Sequence, residues 1–138
     1  MKNLQTTRIC TLLVTRSCNL NCVYCFERNK NIAGKKMMDY ETAVGILIKE
    51  FDEFRLVYKP GDRFAIEFFG GEPLLNFDLI KKIWHWVKQQ DLDFPYVFQI
   101  TTNGTLLTPS VRAWLTERKD DFRVILSVDG DELMQAEN

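Results

Sequence analysis

Ile9-Cys10-Thr11-Leu12-Leu13-Val14-Thr15-Arg16-Ser17-Cys18-Asn19-Leu20-Asn21-Cys22-Val23-Tyr24-Cys25-Phe26 joins an apolar, β-branched run to three cysteines in a C-x3-C-x2-C spacing. Ile9 to Thr15 reads as a strand. The cysteines occupy the loop that leaves it. In α/β proteins such loops carry chemistry, because the strand fixes the root of the loop while the backbone beyond it is free to bend. Three thiolates so close together call for a metal centre, and three ligands leave one position of that centre open.

Working outward, Asp39 is placed to cap a helix running to about Val57, with Tyr40, Val44, Leu47, Ile48, Phe51 and Phe54 at helical spacing. Pro60-Gly61-Asp62 stops it. A second strand, Phe64 to Phe69, ends in Gly70-Gly71-Glu72-Pro73. Asn76 is read as the cap of the next helix, whose apolar face is Phe77, Ile80, Ile83, Trp84 and Val87. A third strand, Tyr96 to Thr102, runs into Asn103-Gly104. A helix starting near Pro109 buries Val111, Trp114 and Leu115, Pro being suited to a first helical turn. A fourth strand, Phe122 to Val128, reads as buried on both sides and is closed by Asp129-Gly130. The residues from Asp131 to Asn138 read as the first turns of another helix.

The order β-α-β-α-β-α-β demands a parallel sheet with right-handed crossovers. Every glycine- or cysteine-rich loop follows a strand, so the candidate chemistry lies at the carboxyl edge of the sheet, where open sheets and barrels bind ligands. An eight-unit barrel takes about 250 residues, roughly 31 per unit, so 138 residues hold about four units. A long apolar fourth strand with nothing to pair with is an aggregation hazard. The chain is therefore expected to be one domain, 1–138, that is incomplete at its C-terminus.

Composition is that of an ordinary globular protein, 46% apolar and 27% charged, with a net charge of −1. That balance favours neither nucleic acid nor an anionic membrane as a partner. No apolar run approaches the roughly 20 residues that span a bilayer, and the first residues lack a signal-peptide core. A cytoplasmic location is the expectation. Four cysteines then read as ligands or core residues rather than disulfides. Cys10, inside the first strand, reads as a small buried hydrophobe. Trp84, Trp86 and Trp114 read as packing, and the basic run Arg28 to Lys36 as a solvated connection.

Structural zinc wants four ligands, and the fourth would have to be Cys10 or the one histidine, His85, which reads as exposed. Iron–sulfur clusters are also held by closely spaced thiolates. A cubane with three cysteines leaves one iron without a protein ligand. Three unrelated core cysteines fit poorly with a loop that is polar at Ser17, Asn19 and Asn21.

Cys18-x3-Cys22-x-Tyr24-Cys25 resembles the cluster motif of the radical S-adenosylmethionine (SAM) enzymes. The resemblance implies that Cys18, Cys22 and Cys25 hold a [4Fe–4S] cluster whose fourth iron is chelated by SAM, with Tyr24 near the adenine. It implies reductive cleavage of SAM to a 5′-deoxyadenosyl radical that takes a hydrogen atom from the substrate. Gly70-Gly71-Glu72-Pro73 matches the element that receives the SAM amino group; glycines admit close approach and a carboxylate suits an ammonium. Asn103, Ser127 and Asp129 match polar strand-end positions facing the SAM pocket, with Ser127 the match for a ribose contact. The motifs Phe69-Gly-Gly-Glu-Pro-Leu-Leu-Asn76 and Thr101-Thr-Asn-Gly-Thr-Leu-Leu107 are similar to those of the subgroup with a C-terminal auxiliary-cluster (SPASM-type) extension, which modifies peptides and proteins. The resemblance thus implies a partial (βα)6 TIM-like barrel, a peptide or protein substrate, and a one-electron reductant such as flavodoxin or ferredoxin. All four cysteines precede residue 26, so that subgroup's auxiliary-cluster ligands are not among these residues. The alternative, from another class, is a catalytically incompetent fragment serving as an iron–sulfur binding module.

Overall fold

The computed structural model describes residues 6–15 and 37–127. The elements are β1 (Thr7–Thr15), α1 (Tyr40–Val57), β2 (Arg63–Gly70), a 3-10 turn (Pro73–Asn76), α2 (Phe77–Lys88), β3 (Tyr96–Thr102), α3 (Pro109–Glu117) and β4 (Phe122–Leu126). The four strands form one parallel sheet in the order β1-β2-β3-β4. Parallel neighbours need a crossover, and α1, α2 and α3 supply the three that this order requires. The expected α/β class and parallel sheet are found.

Side chains alternate along each strand, so each strand turns one set toward the helices. Cys10, Leu12 and Val14 of β1, Phe64, Ile66 and Phe68 of β2, and Phe98 and Ile100 of β3 are buried there. They meet Ala43, Leu47, Phe51 and Phe54 of α1 and Leu79, Ile80, Ile83 and Val87 of α2 in one core. Aromatic rings fill its lower part: Phe94 lies 4.8 Å from Phe54, and Phe64 lies 5.1 Å from Phe51, centroid to centroid. On α3's side, Trp114 stands 5.3 Å from Phe122 and 5.8 Å from Trp84, and the Arg118 guanidinium lies over both indoles. The tryptophans pack, as expected.

The helix boundaries follow local chemistry. Asp39 caps α1, its Oδ1 accepting from the Thr42 amide at 2.7 Å. At the other end Tyr58 is extended, ahead of Pro60. Thr108 caps α3 by accepting from Val111 N, with Pro109 in the first turn. No helix among the described residues is long and apolar enough to cross a membrane.

Four expectations need correction. The buried stripe of α1 is Ala43, Leu47, Phe51 and Phe54, and Tyr40 and Ile48 are exposed. The stripe is centred on Leu47 and Phe51, and Ile48 is turned about 100° from it. Asn76 does not cap α2 with its side chain. Its amide instead donates to the carbonyls of Val14 at 2.8 Å and Met38 at 3.2 Å. On α3 only Leu115 is buried, with Val111 and Trp114 half-buried at its flank. Finally, β4 is not buried on both sides: Phe122 is, but Val124, Ile125 and Leu126 are exposed, Leu126 by 51%. Among the described residues β4 pairs with β3 alone, so one edge and one face lack cover.

Candidate functional site

The strand ends on the carboxyl edge are tied together by a short set of hydrogen bonds. β1 finishes in Val14 and Thr15, both fully buried. Its last residues form the stem from which the chain leaves and to which it returns. Thr15 bridges Met37 in antiparallel fashion, and Met38 N donates to Val14 O at 2.9 Å. Asn76 locks the stem from below through its two carbonyl contacts. The cysteine loop is thus rooted in a pinned base. Cys18, Cys22, Cys25 and Tyr24 lie outside the described residues, as do the basic run Arg28 to Lys36, Asp129 and the helical turns expected after Asp131.

β2 ends against this stem. Gly70 pairs with Thr15 and has φ +151°, and an added Cβ would fall 2.0 Å from the Thr15 carbonyl oxygen. Only glycine fits. Gly71 N donates to that same oxygen at 3.1 Å. The first half of Gly-Gly-Glu-Pro therefore lays its backbone directly on the root of the cysteine loop.

Glu72 is fully buried. Its carboxylate accepts from Leu74 N at 3.0 Å, from Thr102 Oγ1 at 2.9 and 2.7 Å on its two oxygens, and from Asn103 N at 2.8 Å. Three donors on one carboxylate satisfy most of what its burial takes from water. Glu72 is a strut between the ends of β2 and β3. Pro73, also buried, starts the 3-10 turn behind it.

At the end of β3, Gly104 has φ +86°, and Asn103 Oδ1 accepts from Thr105 N at 2.9 Å and Thr105 Oγ1 at 2.7 Å. That is an Asx turn, the local role open to Asn in such a sequence. Ser127 is exposed, and its amide donates to Thr102 O at 2.8 Å, which carries β4's end onto the same edge.

Of the residues singled out from sequence, Gly70, Gly71, Glu72, Pro73, Asn103 and Ser127 thus come together along one edge. Three that were not singled out as site residues hold them there: Thr15, Thr102 and Asn76. Thr102 had a signal, a hydroxyl just before Asn-Gly at a strand end. Asn76 had one only for capping.

The remaining candidates for metal ligation lie elsewhere. Cys10 is buried in the core opposite Ile66, and burial, with Glu50 nearby, pushes its thiol up to about 11. It is an inert core thiol, as read from sequence. His85 is exposed and lies edge-on to Trp84. Among the described residues no cluster of His, Cys, Asp or Glu is placed to hold a metal.

The model of the Radical SAM superfamily matches residues 12–132, so the chain belongs to that superfamily. An uncharacterised protein of Methanocaldococcus jannaschii is 38% identical over 122 residues, covering 88% of this chain and 38% of its own length. The radical SAM cyclopropyl synthase TigE of Paramaledivibacter caminithermalis is 33% identical over 129 residues, covering 86% of this chain and 26% of its own. A solved structure of native anSMEcpe with bound AdoMet and the Kp18Cys peptide superposes with a TM-score of 0.73 at 25% identity, covering 98% of this chain and 35% of that one. The chain spans between about a quarter and two fifths of the length of these relatives.

Proposed function

We propose that this chain forms part of the core of a radical SAM enzyme that modifies a peptide or protein. In this reading Cys18, Cys22 and Cys25 hold a [4Fe–4S] cluster and SAM lies across the strand ends. The observation that supports it most is the convergence on one edge of the cysteine-loop stem at Thr15, the Gly70–Pro73 element and the Thr102–Gly104 turn. It occurs in a chain matched by the superfamily model over nearly its whole length.

The described residues fit the group in part. Glu72's carboxylate is committed to Leu74, Thr102 and Asn103, so the SAM ammonium falls to backbone carbonyls of the Gly70-Gly71 turn. Glu72 orients that turn and the Asn103 backbone beside it. Asn103, Ser127 and Asp129 supply polar contacts further along the edge, Ser127 toward a ribose, and Tyr24 lies by the adenine. When bound, the cluster and SAM supply a reductive route to a 5′-deoxyadenosyl radical that takes a hydrogen atom from the substrate. The electron comes from a reductant such as flavodoxin or ferredoxin, and a cytoplasmic setting suits such chemistry.

Anaerobic reconstitution should give about four irons per chain. They should be lost on changing Cys18, Cys22 or Cys25 to Ala and retained on changing Cys10. Adding SAM should alter the EPR signal of the reduced cluster. A colourless protein with stoichiometric zinc would overturn the proposal.

A further inference from the structure

The sheet face turned away from the helices carries a polar row that the strand-end site does not use. The strand register places Thr11 of β1 beside Glu67 of β2, Glu67 beside Gln99 of β3, and Gln99 beside Arg123 of β4. Thr11 Oγ1 donates to Glu67 Oε1 at 3.1 Å, and Gln99 Nε2 donates to Glu67 Oε2. Both donors are neutral. Among the described residues no cation pairs with Glu67; Arg123 stands two strands away, about 10 Å at the usual strand spacing. Glu67 is half-buried, yet among the described residues no helix covers this face. A carboxylate aligned by a neutral donor on each oxygen keeps lone pairs free for a further donor.

The surroundings of the row favour one kind of occupant. Toward the carboxyl edge the next residues on the same face are Leu13 and Phe69, paired across β1 and β2 and both half-buried. Toward the amino edge lie Ile9, Ala65 and Val97. The row sits three residues below Gly70, about 10 Å beneath the edge. A long side chain reaching down from the edge would lay its methylenes on Leu13 and Phe69 and bring its head to Glu67, the way lysine and arginine cover apolar surface.

We infer that Glu67, braced by Thr11 and Gln99, is a subsite for the ammonium or guanidinium of a lysine or arginine side chain in a peptide substrate. The inference rests on the peptide-modifying reading above. An anionic substrate group has no place beside this carboxylate.

The test uses the anaerobically reconstituted chain with SAM, and two probes: acetyl-Gly-Lys-Gly-amide and its norleucine counterpart, of nearly equal apolar length. Binding is followed by NMR on the Gln99 side-chain amide. The lysine peptide should bind about tenfold more tightly, the scale of one charge-assisted hydrogen bond discounted for partial exposure. That preference should shrink in high salt and vanish in Glu67→Gln. Thr11→Val, which removes one brace and no charge, should retain a preference for lysine. Equal affinity for the two peptides, or a preference that survives in Glu67→Gln, overturns the inference. Should Glu67→Gln fail to fold, a wild-type preference indifferent to salt overturns it as well. Iron content and SAM binding are read on the same samples. A loaded protein without lysine preference sinks the subsite alone, and a protein that binds neither iron nor SAM sinks the proposed function while the titration still reads Glu67.

Discussion

Gly70→Ala tests whether β2 is packed on the stem of the cysteine loop as closely as described. The new methyl would start 2.0 Å from the Thr15 carbonyl oxygen, against a closest real approach of 3.0 Å, and its backbone has φ +151°. The obstacle is main chain, so no side chain can rotate away, and the same oxygen accepts from Gly71. Relief requires the ends of β1 and β2 to part by about 1 Å. A side chain in this region of backbone space costs about 1–3 kcal/mol, and forcing extra volume into a packed site costs about 1–3 kcal/mol more. Together they give about 2–6 kcal/mol, a large fraction of the roughly 5–15 kcal/mol that holds a domain folded. Urea denaturation followed by circular dichroism measures it. Gly45→Ala is the control: Gly45 lies within α1 and a Cβ there meets nothing within 4 Å, so that variant should gain about 0.5–1 kcal/mol. A Gly70→Ala protein within about 0.5 kcal/mol of wild type, well below the expected range, would refute the close packing of β2 on the stem.

Cys10, with its thiol pushed up to about 11, should resist iodoacetamide at pH 8 in the folded protein and react readily once urea unfolds it; fast labelling of folded Cys10, located by mass spectrometry, would contradict its place in the core. Asp62 is held below the ordinary carboxylate range chiefly by the hydroxyl and amide of Thr6, with a further bond from Lys59 N. Its contribution to stability is therefore whole above the unfolded value of about 3.9 and is lost as the pH falls through the lower folded value. The Tm gap between wild type and Asp62→Asn should accordingly narrow from pH 6 to pH 3, and a gap constant over that range would count against these bonds. Glu72→Gln turns one acceptor oxygen into a donor facing Leu74 N, Thr102 or Asn103 N and should cost about 2–4 kcal/mol, read from the urea midpoint.

Most of the fold was legible because it depends on patterns with a short physical range. Asp39 three residues before Thr42 is enough to start α1, and Pro109 after Thr108 to start α3. Tyr96 to Thr102 was placed to the residue because Asp91–Pro95 and Asn103-Gly104 bracket it. What failed depends on distant partners. Asn76 sits where a cap belongs, but Val14 and Met38 compete for its amide from 62 and 38 residues away. The apolar run of β4 reads as interior because composition registers what a strand would bury, whereas exposure depends on which neighbours are there. The same limit hid Glu67, whose significance comes from Thr11 and Gln99 standing across it in the register.

Glu72 illustrates how burial bears on the role a motif residue can take. A carboxylate after two glycines at a strand end matches an ammonium in charge, and from sequence that match draws its weight from the cysteine motif that precedes it. Burial changes the account. A fully buried carboxylate that already accepts from Leu74 N, Thr102 Oγ1 and Asn103 N has about one acceptor site left and no exposed surface through which a ligand would reach it, and any internal bond exchanged for a ligand would leave its donor unsatisfied. The less costly arrangement keeps those bonds and uses the geometry they enforce: Thr102 and Asn103 are fixed relative to the Gly70-Gly71 backbone, and Gly70 is fixed to the stem at Thr15. Under the proposed function, the carboxylate would act on a SAM ammonium at second hand, by holding the main-chain carbonyls in position. Glu72→Asp separates the two roles. The shorter side chain keeps the charge but cannot span from β2 to the Thr102 hydroxyl, so SAM affinity should fall with stability if Glu72 is a strut. It should survive the loss of stability if the charge itself is what the ammonium meets.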